Sequence, residues 1–318
     1  MVRTQPPVAA YVALAAVCFF WGTVYLGFRI AVEDFGVPIL MGFRFFSAGA
    51  VTLLVARAVK ATMPSAREFL VTAFYGIIIL GLGIGTLAFA VQWIPSGLVA
   101  ILNTTSPFWM VGIEAVLPGG DRPNLPTIGG MLVGLAGTLL LVAPDAIEQG
   151  FGGAIVISFL ILQLGCGGFA LGSILERRHS TTTHPIVNGA VQELATGLVF
   201  LVPALVMPHP PVHWTARGVT AILYLIVFGG IVAYSSYLYA MKHLPVSLVS
   251  IFTYVNPVVA LVAGSLLYGE RLKPRYVISM AIIFAGVLVV NRYSRRGGPS
   301  RGVEKEVATA GTGAASAD

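Results

Sequence analysis

Long apolar runs, separated by short polar segments, fill almost the whole chain and constrain its fold more than any other feature. A helix needs about 20 apolar residues to cross the hydrocarbon core of a bilayer, and the run at residues 246–268 is long enough. Hydrophobic residues make up 57% of the chain and charged residues only 10%, whereas a soluble domain carries about 25% charged residues. The sequence therefore predicts an all-α protein that crosses a membrane many times.

Ten runs of this length lie along the chain, and most of the connections between them are very short. The first run is longer than the apolar core of a signal peptide, which has about 7–15 residues, so we expect it to be retained as a span. Residues 294–318 are polar and small, and we expect them to form a disordered cytoplasmic tail. The predicted spans are residues 9–32, 37–59, 68–93, 97–117, 126–143, 151–175, 185–206, 217–241, 246–268 and 275–292.

The two halves of the chain repeat each other at an offset of 148 to 150 residues. The stretch AVQWIPSGLVAILNTTSPF lies over AMKHLPVSLVSIFTYVNPV, so that Pro107 matches Pro257. Gly49 matches Gly197 at an offset of 148, and Gly137 matches Gly286 at an offset of 149. Because proline and glycine recur in the same order, the pattern indicates an internal repeat rather than a shared apolar composition.

Each repeat contains five predicted spans, the first in residues 1–147 and the second in residues 148–293. Because five is odd, the second copy enters the membrane in the opposite orientation to the first. Inverted repeats are typical of secondary transporters, which hold their substrate near the middle of the bilayer between the repeats. The sequence therefore predicts ten transmembrane helices arranged as two inverted five-helix repeats.

Basic residues indicate how the chain is oriented, because Lys and Arg accumulate in cytoplasmic loops. Most of them fall in cytoplasmic segments when the amino terminus lies in the cytoplasm. Loop 271–275 is an exception that the repeat explains, since it matches the cytoplasmic loop at Arg122 carried to the other side. We therefore predict a multi-pass protein of a bacterial inner (plasma) membrane with both termini in the cytoplasm.

Three stretches resemble the EamA-type branch of the drug/metabolite transporter (DMT) superfamily, which consists of ten-helix carriers: FFWGTVYLGFRIA, PILMGFRFFSAGAV and YVNPVVALVAGSLLYGERL. The resemblance extends over about residues 5–293. It implies a transporter rather than an enzyme, and export of amino acids and other small metabolites. One departure is that Ser106-Pro107 stands in the first repeat where the second has Asn256-Pro257.

These two proline sites are the first candidates for a substrate site or a gate. Pro107 and Pro257 each leave the carbonyl four residues earlier without its helical donor, and each is expected to kink its span. The freed carbonyls, with Ser106 and Asn256 beside them, can line a cavity, and the kinks can act as hinges. The alternative is a pair of static kinks that neighbouring side chains cap.

Three polar residues inside spans are the next candidates, since polar groups in a bilayer are costly. Arg44 can bind a substrate carboxylate or phosphate; alternatively it snorkels to the surface or pairs with Asp34 or Glu33. Gln192 matches Arg44 in the repeat, and Glu193 is the candidate for proton coupling. Neighbouring helical residues point about 100° apart, so these two cannot both face a cavity. The alternative for this pair is hydrogen bonding between helices.

Aromatic residues with polar tips are candidates for a cavity wall. Trp21 and Tyr25 share one face of the first span, and Tyr234 and Tyr237 share one face of the eighth. Tyr254 stands beside the Asn-Pro pair. The alternative for this group is packing or an aromatic belt at the membrane surface.

Other polar and small residues carry weaker signals. Asn103 is a weaker site candidate, because such side chains often join transmembrane helices. The pattern Gly130-x-x-x-Gly134 predicts close helix packing. The two cysteines lie within spans and are interpreted as packing residues. Two loop histidines, His209 and His213, are too few for a metal site.

The sequence as a whole favours a secondary transporter that works by alternating access through a central cavity. Its expected substrates are small organic metabolites such as amino acids, or amphipathic drug-like compounds. No cofactor and no nucleic-acid partner is expected; the partners are the substrate and the lipid bilayer, and the chain is a monomer or a homodimer. The alternatives are a membrane-embedded enzyme, disfavoured because neither HExxH nor GxSxG occurs, and a non-transporting receptor or scaffold.

Overall fold

The computed structural model describes residues 7–120, 122–149, 153–179, 183–206, 211–244, 252–271 and 273–294. This part of the chain is helical and contains no β-strand. The predicted tail beyond residue 294 and residues 246–251 of the ninth predicted span lie outside it. The helices are Val8–Ala58, Ala66–Gly76, Ile77–Leu82, Gly83–Ala90, Ser96–Asn103, Ser106–Val116, Leu125–Gln149, Ala154–Arg178, Pro185–Val206, Ala216–Tyr224, Leu225–Val232, Ala233–His243, Phe252–Tyr268 and Pro274–Ser294.

Each of the ten predicted spans corresponds to helix in the structure, and we number the spans in that order. Six helices are long and apolar enough to cross a membrane, and shorter apolar helices occupy the positions of the fifth, ninth and tenth spans. Helix Val8–Ala58 has 51 residues and contains spans 1 and 2. The chain bends between them at Gly36, whose φ of 65° is accessible to glycine because it has no Cβ atom.

Spans 3 and 8 both contain a π-helical segment, which the sequence does not predict. Each continues from an α-helical segment into a π-helical one, Ile77–Leu82 in span 3 and Leu225–Val232 in span 8. The two segments begin 148 residues apart, which is the offset of the sequence repeat. Wider π-turns are rare and occur frequently at functional sites.

Every second connection between spans lies at one end of the molecule, which we call the Asp34 end. The backbone N–H of His213 donates to the carbonyl of Asp34 at 2.9 Å, and the hydroxyl of Thr215 donates to the Asp34 carboxylate. The carboxylate of Glu270 accepts a hydrogen bond from the backbone N–H of Ser96 at 2.7 Å. Glu270 thereby caps the amino terminus of span 4.

The opposite end, which we call the Arg178 end, joins the remaining connections. Arg178 donates to the carboxylate of Glu114 at 2.8 Å, and the side-chain amide of Asn124 donates to the carbonyl of Tyr293 at 2.9 Å. The pairings at both ends agree with a chain that crosses the membrane once per span.

Spans 2 and 7 cross at two glycines that occupy equivalent positions in the repeats. A Cβ atom on Gly49 would lie 2.7 Å from the backbone nitrogen of Leu194, and one on Gly197 would overlap the backbone of Phe46. Residues 46 and 194 are also 148 positions apart, so the two contacts are images of each other. A two-fold relation between the repeats would produce such reciprocal contacts.

Spans 5 and 10 cross in the same reciprocal way. A Cβ atom on Gly137 would lie 2.9 Å from the backbone nitrogen of Ile283, and one on Gly286 would overlap the backbone of Gly134. Both pairs obey the repeat offset of 149 residues. The close packing predicted from Gly130-x-x-x-Gly134 is confirmed, and it lies within one chain.

Candidate functional site

Arg44 is buried in span 2, with 5% of its surface exposed. Its guanidinium carbon lies 4.8 Å from the ring centre of Phe28 and 4.7 Å from that of Phe45, both within cation–π range. Its Nε and Nη1 atoms have no hydrogen-bond partner among the described residues. Snorkelling and pairing with Asp34 or Glu33 were open alternatives for Arg44, and both are wrong: the side chain is buried, and each acid bonds to another residue.

Glu193 is buried in span 7, with 8% of its surface exposed, and interacts electrostatically with Arg44 across the crossing of spans 2 and 7. Two adjacent glycines of the π-helical segment in span 8 leave room for the pair. A Cβ atom on Gly229 would lie 3.7 Å from Nη2 of Arg44, and one on Gly230 would lie 3.7 Å from Oε1 of Glu193. Spans of both repeats therefore meet at one buried pair of opposite charges.

The π-helical segments expose backbone carbonyls to side chains of other spans. The indole N–H of Trp21 donates to the carbonyl of Gly229 at 3.1 Å. In the other repeat, the hydroxyl of Thr196 donates to the carbonyl of Gly76, just before the π-turn, at 3.0 Å. Because a buried carbonyl without a donor is costly, these side chains help to hold the irregular turns in place.

Aromatic rings from spans 1, 8 and 9 pack beside the charged pair. The rings of Trp21 and Tyr237 have centres 5.1 Å apart, and those of Tyr234 and Tyr237 are stacked at 6.5 Å. Phe252 packs edge-on against Trp21 at 5.1 Å. Tyr234 also interacts electrostatically with Glu193, so the aromatic cluster and the charged pair are neighbours. The side chain of Tyr254 lies outside the described residues.

Tyr25 belongs to a second, polar cluster between spans 1, 4 and 6. Its hydroxyl accepts from the side-chain amide of Asn103 at 3.0 Å. Ser106 donates to the carbonyl of Asn103 at 2.7 Å and contacts the sulfur of Cys166 at 3.2 Å. The interpretation of Cys166 as apolar packing is therefore wrong, because its thiol is buried among hydrogen-bonding groups.

The helix interruption predicted at Pro107 is present, and the carbonyl that the proline leaves without a helical donor accepts another hydrogen bond. Span 4 stops as a regular helix at Asn103 and resumes at Ser106. The Asn103 carbonyl, which Pro107 deprives of a helical donor, accepts the Ser106 hydroxyl instead. In this conformation the kink is capped by a neighbouring side chain, which is the static alternative.

The matching site in span 9 is different. Pro257 lies inside the described helix Phe252–Tyr268, which contains no break at the proline. Asn256 is buried, with 6% exposed, and its amide nitrogen can donate to the carbonyls of Phe252 at 3.0 Å and Cys18 at 3.1 Å. The amide therefore joins span 9 to span 1, and the two proline sites are unequal.

Gln192 and Glu193 diverge, as the helical geometry predicts. The Gln192 amide donates to the carboxylate of Glu176 in span 6 at 2.5 Å, whereas Glu193 faces Arg44. Gly76 of span 3 packs directly on the backbone of Gln192. Glu176, a further acid at this interface, was missed because it lies near the end of its span, where a solvated acid is expected.

The acidic side chains near the site do not form a set of metal ligands. Among the described residues, no group of three or more His, Cys, Asp and Glu side chains could hold a metal ion. The described side chains provide opposite charges at Arg44 and Glu193, ring faces in the aromatic cluster, and hydrogen-bonding groups around Asn103.

Comparisons with known proteins agree on one family. The EamA-like transporter family matches residues 8–143 and again residues 156–292. The inner membrane transporter YedA of Escherichia coli K12, itself uncharacterised, is 31% identical over 280 residues, which covers 87% of this chain and 89% of YedA.

Two further similarities are more distant. A protein of Streptantibioticus cattleyicolor named as a probable terminal-alkyne amino-acid exporter is 24% identical and covers 88% of this chain and 92% of its own length. A solved structure titled only as the crystal structure of a protein superposes with a TM-score of 0.60 at 20% identity, over 91% of this chain and 99% of that one. This last similarity concerns the fold alone.

Proposed function

This chain belongs to the EamA-like transporter family, and from that premise we propose that it is a secondary transporter that exports small organic metabolites. YedA and the Streptantibioticus protein are both named as transport proteins, whereas the direction and the substrate of this chain are our proposal. We assign residues 1–147 and 148–293 to two inverted repeats that work by alternating access. The Asp34 end faces the outside and both termini face the cytoplasm of a bacterial inner membrane. The location is supported by the name of the YedA relative.

The observation that carries this proposal is the buried pair of Arg44 and Glu193, one residue from each repeat. A charged side chain inside a membrane protein is costly and marks a substrate or ion pathway. Arg44 keeps two nitrogen atoms without a hydrogen-bond partner among the described residues. Free guanidinium donors suit a substrate carboxylate, with which they form charge-assisted hydrogen bonds.

The surroundings of the pair support an amphipathic substrate. Rings of the aromatic cluster offer an apolar wall with polar tips, which suits the body of an amino acid or a similar compound. The Streptantibioticus relative is named as a probable terminal-alkyne amino-acid exporter, which supports the same class of substrate. The proposed substrate-site residues are Trp21, Tyr25, Arg44, Asn103, Ser106, Gln192, Tyr234, Tyr237, Tyr254 and Asn256.

Glu193 is the proposed coupling residue. Arg44 binds the carboxylate of an amino acid while the ionised Glu193 accepts hydrogen bonds from its ammonium group. A proton on Glu193 removes that acceptor charge and weakens substrate binding. Exchange of protons for substrate then follows, because the proton and the ammonium group compete for one carboxylate.

The proposed gates are the proline sites. Pro107 lies at a helix interruption that already divides span 4 into two parts. Such a division lets one half-helix rotate while the other stays packed. Pro257 lies within a described helix that is tied to span 1 through Asn256, so we propose that span 9 moves together with span 1.

Flux into and out of proteoliposomes tests the site. With a panel of amino acids and amphipathic compounds, we expect protein-dependent movement of at least one compound. Arg44→Gln should slow it by at least about tenfold, because hydrogen bonds to charged groups contribute about 1.5–3 kcal/mol. Arg57→Gln, at an exposed arginine of the same long helix, is the control and should remain near wild type. No movement of any compound, or an unchanged Arg44→Gln, would contradict the proposal.

Coupling is tested separately with a pH gradient. Acid on the side toward which the substrate moves should accelerate wild-type flux, because Glu193 carries protons in the opposite direction. Glu193→Gln, which cannot exchange a proton, should lose this acceleration. Glu176→Gln alters another acid at the same interface and should keep it. An acceleration that survives in Glu193→Gln would remove this residue from the coupling step.

A further inference from the structure

An apolar groove separate from the charged pair runs between spans 1 and 8. Its volume is about 630 Å³, within the range of about 300–1,000 Å³ for small-molecule pockets. Phe19, Leu26 and Ile30 form one wall, residues of helix Ala216–Tyr224 form the other, and Leu267 of span 9 lies at the edge. Leu267 is 73% exposed and Phe19 is 56% exposed, so the groove opens toward the surrounding membrane.

The polar atoms of the groove are distributed unevenly. In its deep part, the hydroxyls of Thr23 and Tyr224 bond to each other across the groove, and Thr23 also donates to the carbonyl of Phe20 at 3.0 Å. At its other end, Arg217 lies in the first turn of span 8, exposed, with its guanidinium carbon 5.0 Å from the ring centre of Tyr268. The groove is therefore apolar along its length and carries a cation at the Asp34 end.

We propose that this groove binds one acyl chain of an anionic phospholipid, with the lipid phosphate on Arg217. Phe19 and Ile30 are separated by about 16 Å along the helix at a rise of about 1.5 Å per residue, which is about the hydrocarbon thickness of one leaflet, half of about 30 Å. The cation stands where the span leaves the hydrocarbon, at the depth of lipid headgroups. Arginine binds phosphate through paired hydrogen bonds, and an apolar groove open to the bilayer is filled by hydrocarbon.

The charge pattern favours a lipid over a transported compound as occupant. Arg217 is the only charged residue among the described residues that line the groove. The tyrosine and threonine hydroxyls that could fix the orientation of a polar solute are satisfied by each other. What remains is one anion-binding group and a long apolar channel, which is the complement of an anionic headgroup with one chain.

Native mass spectrometry tests the proposal on the full chain, released from vesicles that contain equal amounts of phosphatidylglycerol and phosphatidylcholine with identical acyl chains. Wild type should retain one lipid molecule, and phosphatidylglycerol should be retained about fivefold more often than phosphatidylcholine. One basic side chain near an anionic surface contributes about 1 kcal/mol, which corresponds to this ratio. Arg217→Gln should lose the preference, and Thr220→Trp, which fills the groove, should lose retention of either lipid.

Two matched variants keep the test specific. Arg271→Gln removes another exposed arginine at the Asp34 end, and Leu223→Trp places the same indole at an exposed position of span 8 that does not line the groove. Both should retain lipid as wild type does, and thermal unfolding should confirm that all four variants are folded. Equal retention of both lipids by wild type, retained preference in Arg217→Gln, or displacement of the lipid by a transported compound would each overturn the proposal.

Discussion

Arg44 and Glu193 are two charged side chains whose partners come from the other half of the chain. Each is an isolated charge in its own apolar run, and the sequence identifies each as costly without naming a partner. In the structure they face each other beside Gly229 and Gly230. Removal of one partner from such a pair leaves the other charge buried and uncompensated.

A double-mutant cycle measures this dependence. We expect Glu193→Gln alone to lower the free energy of unfolding by about 3 kcal/mol, because Arg44 then stays buried without a counter-charge. The double variant Arg44→Met/Glu193→Gln should recover most of that loss, since no buried charge remains. Thermal unfolding in one detergent checks both. Additive losses in the double variant would show that the two charges do not interact.

At the scale of elements, helix irregularities occupy equivalent places in the two repeats but are stabilised differently. Span 4 is interrupted before Pro107, with a serine hydroxyl on the freed carbonyl. Span 9 runs through Pro257 as described helix. The π-helical segments of spans 3 and 8 begin at equivalent positions. Thr196 donates a hydrogen bond to a carbonyl at the first segment, whereas Trp21 donates to one in the second.

The capped interruption in span 4 gives a prediction about its own proline. Ser106→Ala should cost about 1–3 kcal/mol, because the buried carbonyl of Asn103 loses its donor. Pro107→Ala restores a backbone N–H, so Ser106→Ala in a Pro107→Ala background should cost clearly less. Thermal unfolding of the four proteins measures the difference. The same cost in both backgrounds would mean that the serine stabilises something other than the kink.

At the scale of the whole molecule, apolar length and internal repetition were enough to predict ten spans and their order along the chain. The π-helical segments could not be predicted, because they have no residue signature and depend on donors from distant spans. Cys166 and Glu176 were missed for a related reason, since their partners come from other spans. The sequence identified Asn256 as unusual, but it could not predict the hydrogen-bond partner, because the carbonyl of Cys18 lies in a distant span.

Packing between the halves can be tested at two neighbouring glycines of span 5. Gly130→Leu should destabilise the protein by about 1–3 kcal/mol, because a Cβ atom there would lie 2.9 Å from the carbonyl oxygen of Gly286. Gly129 has no atom within 4 Å of the same position, so Gly129→Leu should be neutral or slightly stabilising. Thermal unfolding compares them, and equal effects would contradict this packing.

The reciprocal glycine crossings also limit how the chain can diverge over generations. A larger side chain at Gly49 meets the backbone of Leu194, and one at Gly197 meets the backbone of Phe46, so neither half can enlarge these positions by its own substitutions. Elsewhere the two halves differ: Arg44 of the first repeat matches Gln192 of the second at the offset of 148 residues. The crossings therefore restrict both halves to small residues at equivalent places, whereas the residues at Arg44 and Gln192 differ between the halves.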